Sequence, residues 1–360
     1  MKFNFFTSVT PETAFLETIL AKKDYELWNY RQDLLLKAPQ ILMNCLHYER
    51  SISKNLRNAI IERLASLQAV SPEKRQEKPS LLISDIDNTF LSSRDPRYES
   101  NSTPYPGIKE LYKALLHGNS NDDLPLRRKA SLCAFLTARP GQPLFKHFRP
   151  LSSKMKKITS DALRLAGIAL EKQLILWGDF LHCLPQPGSM YKSLGKGKIA
   201  NFDKFSKLYA DYQFIFFGDN GEADIDVARA MLRSAGAAMS AIFIHDLKNL
   251  SPDEIKQFAA EGIFIYKSII DAALIALTKE LISHEQALDI ARAVVNETDN
   301  SHTSSDDKAI TAFNRRIEAI SLDLQRLHQQ LADPEIIELI KRINKKHLLP
   351  PSLSSDLSYS

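Results

Sequence analysis

At 360 residues, 44% of them hydrophobic, the chain is long and apolar enough to bury a substantial core, which excludes disorder as its main state. A formal net charge of +4 is a mild basic excess, weaker than a dedicated nucleic-acid binder carries, so no nucleic acid is expected as a partner. The longest apolar stretches, such as residues 269–282, are broken by Asp271, Lys279 and Glu280 and fall short of the roughly 18 residues a membrane span needs.

At the start, Thr7, Pro11 and Glu12 arrive before an export signal core could form, so no targeting peptide is expected. Three cysteines, Cys45, Cys133 and Cys183, stand far apart without metal-ligand spacing, which argues against a disulfide framework and a zinc site. A reducing, cytoplasmic location is expected, with peripheral membrane association and secretion into another cell left open.

Residues 12–70 carry helical periodicity, with apolar positions at Leu16, Ile19 and Leu20, at Leu34, Leu35, Ile41, Leu42 and Leu46, and at Ile60, Ile61 and Leu64. Residues 72–78 are charged and proline-flanked, as a linker is, so a helical region over 1–78 gives way to a new domain at about 79. From there apolar runs alternate with helical patterns. Runs at 81–86, 132–136, 174–176, 214–217, 241–244 and 263–265 read as strands, and stretches near 108–116, 161–166, 199–209 and 224–234 as helices. This alternation predicts an α/β fold over 79–295, a doubly wound parallel sheet with helices on both faces.

Residues 296–307, rich in Ser, Thr, Asn and Asp, read as an exposed connection to C-terminal helices over 308–349 and a flexible tail over 350–360. Phe313, Ile317, Ile320, Leu324, Leu327 and Leu331 alternate steps of four and three; a seam within the chain is favoured over a dimer contact. Asp333-Pro334 starts a last helix, with Ile336, Ile337, Ile340 and Ile343 on one side and Lys341, Arg342, Lys345 and Lys346 on others. Packing is favoured there over lying on anionic lipid.

The chemistry concentrates where apolar strands end. Ser84-Asp85-Ile86-Asp87-Asn88-Thr89 follows the first strand, at the carboxyl end where open α/β sheets place their sites. Two carboxylates two residues apart suit phosphoryl transfer: Asp85 is the candidate nucleophile, and Asp87 the acid that protonates the leaving oxygen and the base that then activates water. An anionic carboxylate attacking an anionic phosphate needs a cation, and an oxygen-only site favours Mg2+. Phe217-Gly218-Asp219-Asn220-Gly221-Glu222-Ala223-Asp224 follows another apolar strand, so Asp219 can complete a metal site with Asp85 and Asp87, while Asp224 positions Asp219 or a metal-bound water and counts as a candidate ligand.

Leu136-Thr137-Ala138-Arg139-Pro140-Gly141 reads as a strand running into a turn that offers a hydroxyl, turn amides and a guanidinium to a phosphate. Gly195-Lys196-Gly197-Lys198, read as preceding a helix, supplies an ammonium for the phosphoryl oxygens. Packed positions at Phe205, Leu208 and Tyr212 favour Lys198, with Lys196 as the fallback. Thr137 and Lys198 thus join Asp85 and Asp87 as catalytic candidates, and Thr89, Arg139 and Lys196 are candidates for substrate binding.

In order, these motifs resemble the four-part signature of the haloacid dehalogenase-like superfamily. Asp85, Asp87 and Thr89 fit the first part, Thr137 the second, Lys198 the third, and Asp219 with Asp224 the fourth. Within it, residues 79–282 are similar to the catalytic domains of the actin-patch-protein phosphatidate phosphatases and, more distantly, of the lipins. Thr137-Ala138-Arg139 is nearest the lipin Ser-Ala-Arg form, and Asp226 stands where a Pro-Glu pairing is usual. The resemblance implies a magnesium-dependent phosphatase acting on phosphatidate or a related phospholipid.

Between Thr89 and Leu132 there is room for only a loop and one helix, so a minimal cap and an open site are expected. Such a site suits a phosphate on a large carrier, lipid or protein. Arg127-Arg128-Lys129, Lys154-Lys156-Lys157 and Lys192-Lys196-Lys198 could meet an anionic membrane, although solvated surface charge is the favoured reading of the first two. The rival readings are a protein or phosphoinositide phosphatase on the same site and a non-catalytic interaction protein that keeps the fold.

Overall fold

The computed structural model describes residues 11–23, 26–27, 53–66, 79–93, 95, 98, 103–118, 131–142, 157, 161, 174–179, 190–210, 212–299 and 307–347. The helix expected at 161–166 lies outside them apart from Asp161, as do the linker at 72–78, the tail at 350–360 and the basic groups Arg127-Arg128-Lys129 and Lys154-Lys156. Among the described residues no helix is long and apolar enough to cross a membrane.

The strands form one all-parallel six-stranded sheet in the order β3-β2-β1-β4-β5-β6, as expected of a doubly wound α/β fold. The strands are β1 (Ser80–Ser84), β2 (Leu132–Gln142), β3 (Leu174–Asp179), β4 (Gln213–Asp219), β5 (Met239–His245) and β6 (Ile263–Tyr266). Ser-Leu-Leu-Ile-Ser of β1 is buried at every position, as a parallel strand covered on both faces must be. Order reverses between β1 and β4, the place where such sheets open a crevice at their carboxyl ends.

The chain divides into two compact units: residues 1–78 with 138–212, and 79–137 with 213–360. In the first, α1 (Pro11–Ala21) packs on α2 (Lys54–Ser66), α2 on α4 (Met190–Leu208), and α4 on β3. A Cβ on Gly178 of β3 would clash with the Ala138 carbonyl of β2, so the bare glycine lets the two strands approach. Asn201 of α4 donates to the Trp177 carbonyl at 2.9 Å, fixing helix against strand.

The second unit contains α3 (Ile108–His117), α5 (Asp224–Ala235), α6 (Pro252–Ala260), α7 (Ile269–Thr278), α8 (His284–Asp299), α9 (Asp307–Leu331) and α10 (Pro334–Asn344). In α3 the buried residues Ile108, Leu111, Tyr112 and Leu115 recur at helical spacing and pack toward β1. The heptad-like stripe of α9 is internal: Phe313, Ile317, Ile320, Leu324 and Leu327 are buried, with α7 and α10 as neighbours. In α10, Ile336, Leu339 and Ile343 are buried while Ile337 is exposed, and Asp333 caps the helix by accepting from Glu335 N at 2.8 Å.

Two local expectations are corrected. Residues 137–142 continue β2 and do not turn after Leu136; Gly141 and Pro140 are accommodated in extended backbone. Gly195-Lys196-Gly197-Lys198 lies inside α4, which already begins at Met190, so these residues are held in a helix and are not a flexible approach to one. Gly195 and Gly197 are buried in this helix despite the poor helix propensity of glycine. At the other end of the domain α8 runs to Asp299, four residues into the segment expected to connect, and α9 starts at Asp307.

Candidate active site

Strand ends place the acidic residues. Asp85 immediately follows β1, and its amide continues the ladder by donating to the Phe217 carbonyl of β4 at 2.9 Å. Ser84 donates to the Asp85 carbonyl at 2.5 Å and lies 2.6 Å from the Tyr112 hydroxyl, so Tyr112 donates to Ser84 and α3 backs the residue. Burial, its largest cause, raises the Tyr112 phenol well above its ordinary value and keeps it a donor.

After Asp85 the chain turns tightly. Phe90 and Leu91 amides both donate to the Ile86 carbonyl, the Asn88 amide donates to Leu91, and Asn88 itself has φ 57, a left-handed value that asparagine tolerates better than most residues. The Asp87 carboxylate accepts from Ser93 Oγ at 2.7 Å. Residues 90–92 then run antiparallel to 103–105, through Ser92 N to Thr103 O and Tyr105 N to Phe90 O. Thr89 Oγ1 is buried on this turn with no hydrogen-bond partner among the described residues, a hydroxyl that a ligand oxygen would satisfy.

On β4, Asp219 Oδ1 accepts from Gly221 N at 2.6 Å, and Asp224 Oδ2 at the start of α5 accepts from Asp219 N at 3.3 Å. Gly218 makes this possible: a Cβ there would stand 2.7 Å from Asp224 Oδ2 and 2.8 Å from its Cβ. Asn220 ties the loop to the next strand end, donating to Asp246 Oδ1 and accepting from Leu247 N, both at 2.8 Å.

The outcome is one group of three buried carboxylates. One oxygen each from Asp85, Asp219 and Asp224 lies within 4.8 Å of the others, and this group could hold a metal ion. Three like charges in a low-dielectric site repel strongly, and a cation among them reverses the sign of the interaction. The donors are all carboxylate oxygens, which suits a hard divalent ion. Asp87, also expected as a ligand, is half-buried on the turn and lies outside this group.

The other candidates are placed as follows. Thr137 is buried on β2, two residues beyond Phe135, the last to pair with β1. Arg139 is half-buried in the first unit. Lys198 is 3% exposed on the face of α4 that also buries Phe202 and Phe205, whereas Lys196 is exposed. Burial separates the two lysines as the helical spacing does. Burial pushes the Cys133 thiol up to about 12, which disfavours its thiolate.

Sequence reasoning missed the residues around His245. Its Nδ1 lies 2.8 Å from the Asn88 carbonyl, its Nε2 4.0 Å from Asp95 Oδ2, and the Tyr105 hydroxyl donates to that same oxygen at 3.0 Å. A usable signal was present: His245 ends the apolar run Ile242-Phe243-Ile244 just as Asp219 ends Phe214-Ile215-Phe216-Phe217, and the two are paired across β4 and β5. No family model, curated protein or solved structure matches this chain.

Proposed function

We propose that the protein is a magnesium-dependent phosphatase that hydrolyses a phosphomonoester through an aspartyl-phosphate on Asp85. The observation that carries this reading is the buried Asp85, Asp219 and Asp224 group at the switch point between β1 and β4, with the second carboxylate of the Asp85-Ile86-Asp87 pair on the turn beside it. The resemblance of these motifs to haloacid dehalogenase-like phosphatases supports the same chemistry.

Asp85, Asp219 and Asp224 would hold Mg2+, which supplies positive charge against the phosphate and the attacking carboxylate. An Asp85 carboxylate oxygen attacks phosphorus, the bond from phosphorus to the leaving oxygen breaks, and Asp87 in its protonated form donates to that oxygen. Asp87, now a carboxylate, takes a proton from water; the resulting hydroxide attacks phosphorus, releases inorganic phosphate and restores Asp85. Thr137 and Thr89 are the proposed partners of the phosphoryl oxygens, and the resemblance alone adds Lys198 and Arg139. The leading substrate class is a phosphate on a large carrier, phosphatidate or a related phospholipid first, since the sequence leaves room for only a loop and one helix between Thr89 and Leu132.

The test is magnesium-dependent phosphate release from a panel of phosphatidate, phosphoinositides, phosphopeptides and a small chromogenic phosphomonoester, with Asp85→Asn as control. Release that disappears in the folded Asp85→Asn protein is the expected result, and the panel ranks the substrates. A folded wild-type protein that releases phosphate from none of them would overturn the reading in favour of a non-catalytic binding role.

A further inference from the structure

Asp85 and Asp87 are held by different devices. The first is locked by the sheet itself, through its amide on Phe217. The second sits on a turn closed by backbone bonds to the Ile86 and Leu91 carbonyls, to which side chains add: Ser93 on its carboxylate, and His245 on the carbonyl of the next residue, Asn88. A carbonyl oxygen only accepts, so His245 Nδ1 carries a proton and donates it.

The imidazole is in turn constrained on several sides. His245 is 2% exposed, its ring stacks on Tyr266 at 5.0 Å and 14°, and Tyr105 meets it edge-on at 4.9 Å and 83°. Buried Asp95, fixed by the Tyr105 hydroxyl, stands opposite Nε2. An imidazole held at one nitrogen by a backbone carbonyl and faced at the other by a carboxylate has a single orientation available, and it passes that orientation to the turn.

We propose that His245 is a positioning residue for Asp87: by fixing the left-handed Asn88 it aims the Asp87 carboxyl at the leaving-group oxygen, with Asp95 and Tyr105 orienting the imidazole. This inference rests on the phosphatase reading above. Its consequence is selective. Attack by Asp85 does not depend on the turn, whereas proton donation by Asp87 does, so the loss should fall on substrates whose leaving group must be protonated.

The experiment compares kcat/KM, which reports steps up to departure of the leaving group, for an alkyl phosphate and for an aryl phosphate whose phenolate leaves unprotonated. His245→Phe keeps the ring and removes the donor; His245→Asn restores an amide N–H close to the place of Nδ1. In His245→Phe, kcat/KM for the alkyl ester should fall about 10- to 100-fold and that for the aryl ester by no more than about 3-fold. His245→Asn should recover most of the alkyl activity, and Tyr105→Phe should lower the alkyl-to-aryl ratio to a smaller extent. Equal losses on both esters, or none on either, in His245→Phe would overturn the proposal. Should that variant not fold, Tyr105→Phe decides by the same ratio: a lowered ratio supports the proposal and an unchanged one sinks it. The two esters are taken from among the substrates the wild type hydrolyses; a wild-type protein inactive on the whole panel removes the phosphatase reading and this inference together, while an active wild type with unchanged ratios in the variants removes the inference alone.

Discussion

Two acidic groups in the second unit stand in instructive contrast. Between α7 and α9, Asp271 and Asp323 share one guanidinium: Arg326 Nη1 donates to Asp271 at 2.8 Å and to Asp323 at 3.0 Å, and Ser268 donates to Asp323 at 2.6 Å. That group carries its own cation, and its work is to join a C-terminal helix to the sheet domain. At the strand ends, Asp85, Asp219 and Asp224 gather three carboxylates, and backbone amides of Gly221 and Asp219 orient two of them. The carboxylates between α7 and α9 share an arginine, whereas those at the strand ends converge on one another, with main-chain amides orienting two of them, in a group that could hold a metal ion.

The sharpest way to break this contrast is Asp219→Asn. If the proposed phosphatase activity holds, magnesium-dependent turnover should fall by at least about 100-fold. In chelator the variant should melt above the wild type, because relief of carboxylate repulsion raises Tm by roughly 2–4 °C per kcal/mol, and with millimolar magnesium the order should reverse. A variant that melts lower in chelator as well would show the strand-end group to be structural, like the one around Arg326.

Arg326→Met should act the other way, destabilising without touching turnover. It leaves Asp271 and Asp323 nearly buried without their guanidinium, at a cost of roughly 1–3 kcal/mol; this is below the value for a fully buried pair because the Arg326 side chain is 56% exposed. Chemical denaturation at neutral pH measures it, and a change under about 0.5 kcal/mol would mean the arginine contributes no more than a surface pair.

A further effect, of similar size, concerns pH. Burial, aided by the Asp271 charge, raises the Asp323 carboxyl to about 6. A carboxyl raised on folding contributes stability below its unfolded value that is lost as pH climbs through the folded one. Relative to Asp323→Asn, the wild type should therefore lose roughly 2 kcal/mol between pH 4 and pH 7. Parallel profiles for the two proteins would refute the assignment.

Much of this molecule was legible in its sequence because apolar runs of parallel strands are continuous and their ends are punctuated by carboxylates. Leu81-Leu82-Ile83 before Asp85 and Phe214 to Phe217 before Asp219 needed only the rule that such sheets carry their sites at strand ends. What failed was local. Pro140-Gly141 has turn chemistry, yet β2 continues through it; the two glycines around Lys196 have loop chemistry, yet they lie in α4, where packing outweighs propensity. The division into two units depends on α2 meeting α4, and no pattern within either helix announces it. His245 and Asp95 are separated by about 150 residues, a distance over which one sequence carries no pairing signal.

The central pairing of β1 with β4 has a consequence for the protein during its synthesis. Asp85 is made about 130 residues before Asp219, which at about 5–20 residues per second is an interval of roughly 7–26 s. Until β4 and the first turn of α5 emerge, β1 lacks the neighbour that will lock Asp85, and its buried Leu81, Leu82 and Ile83 must be sheltered by other means. The three carboxylates are thus assembled late on the ribosome, after much of the hydrophobic framework that holds them against their mutual repulsion has been translated.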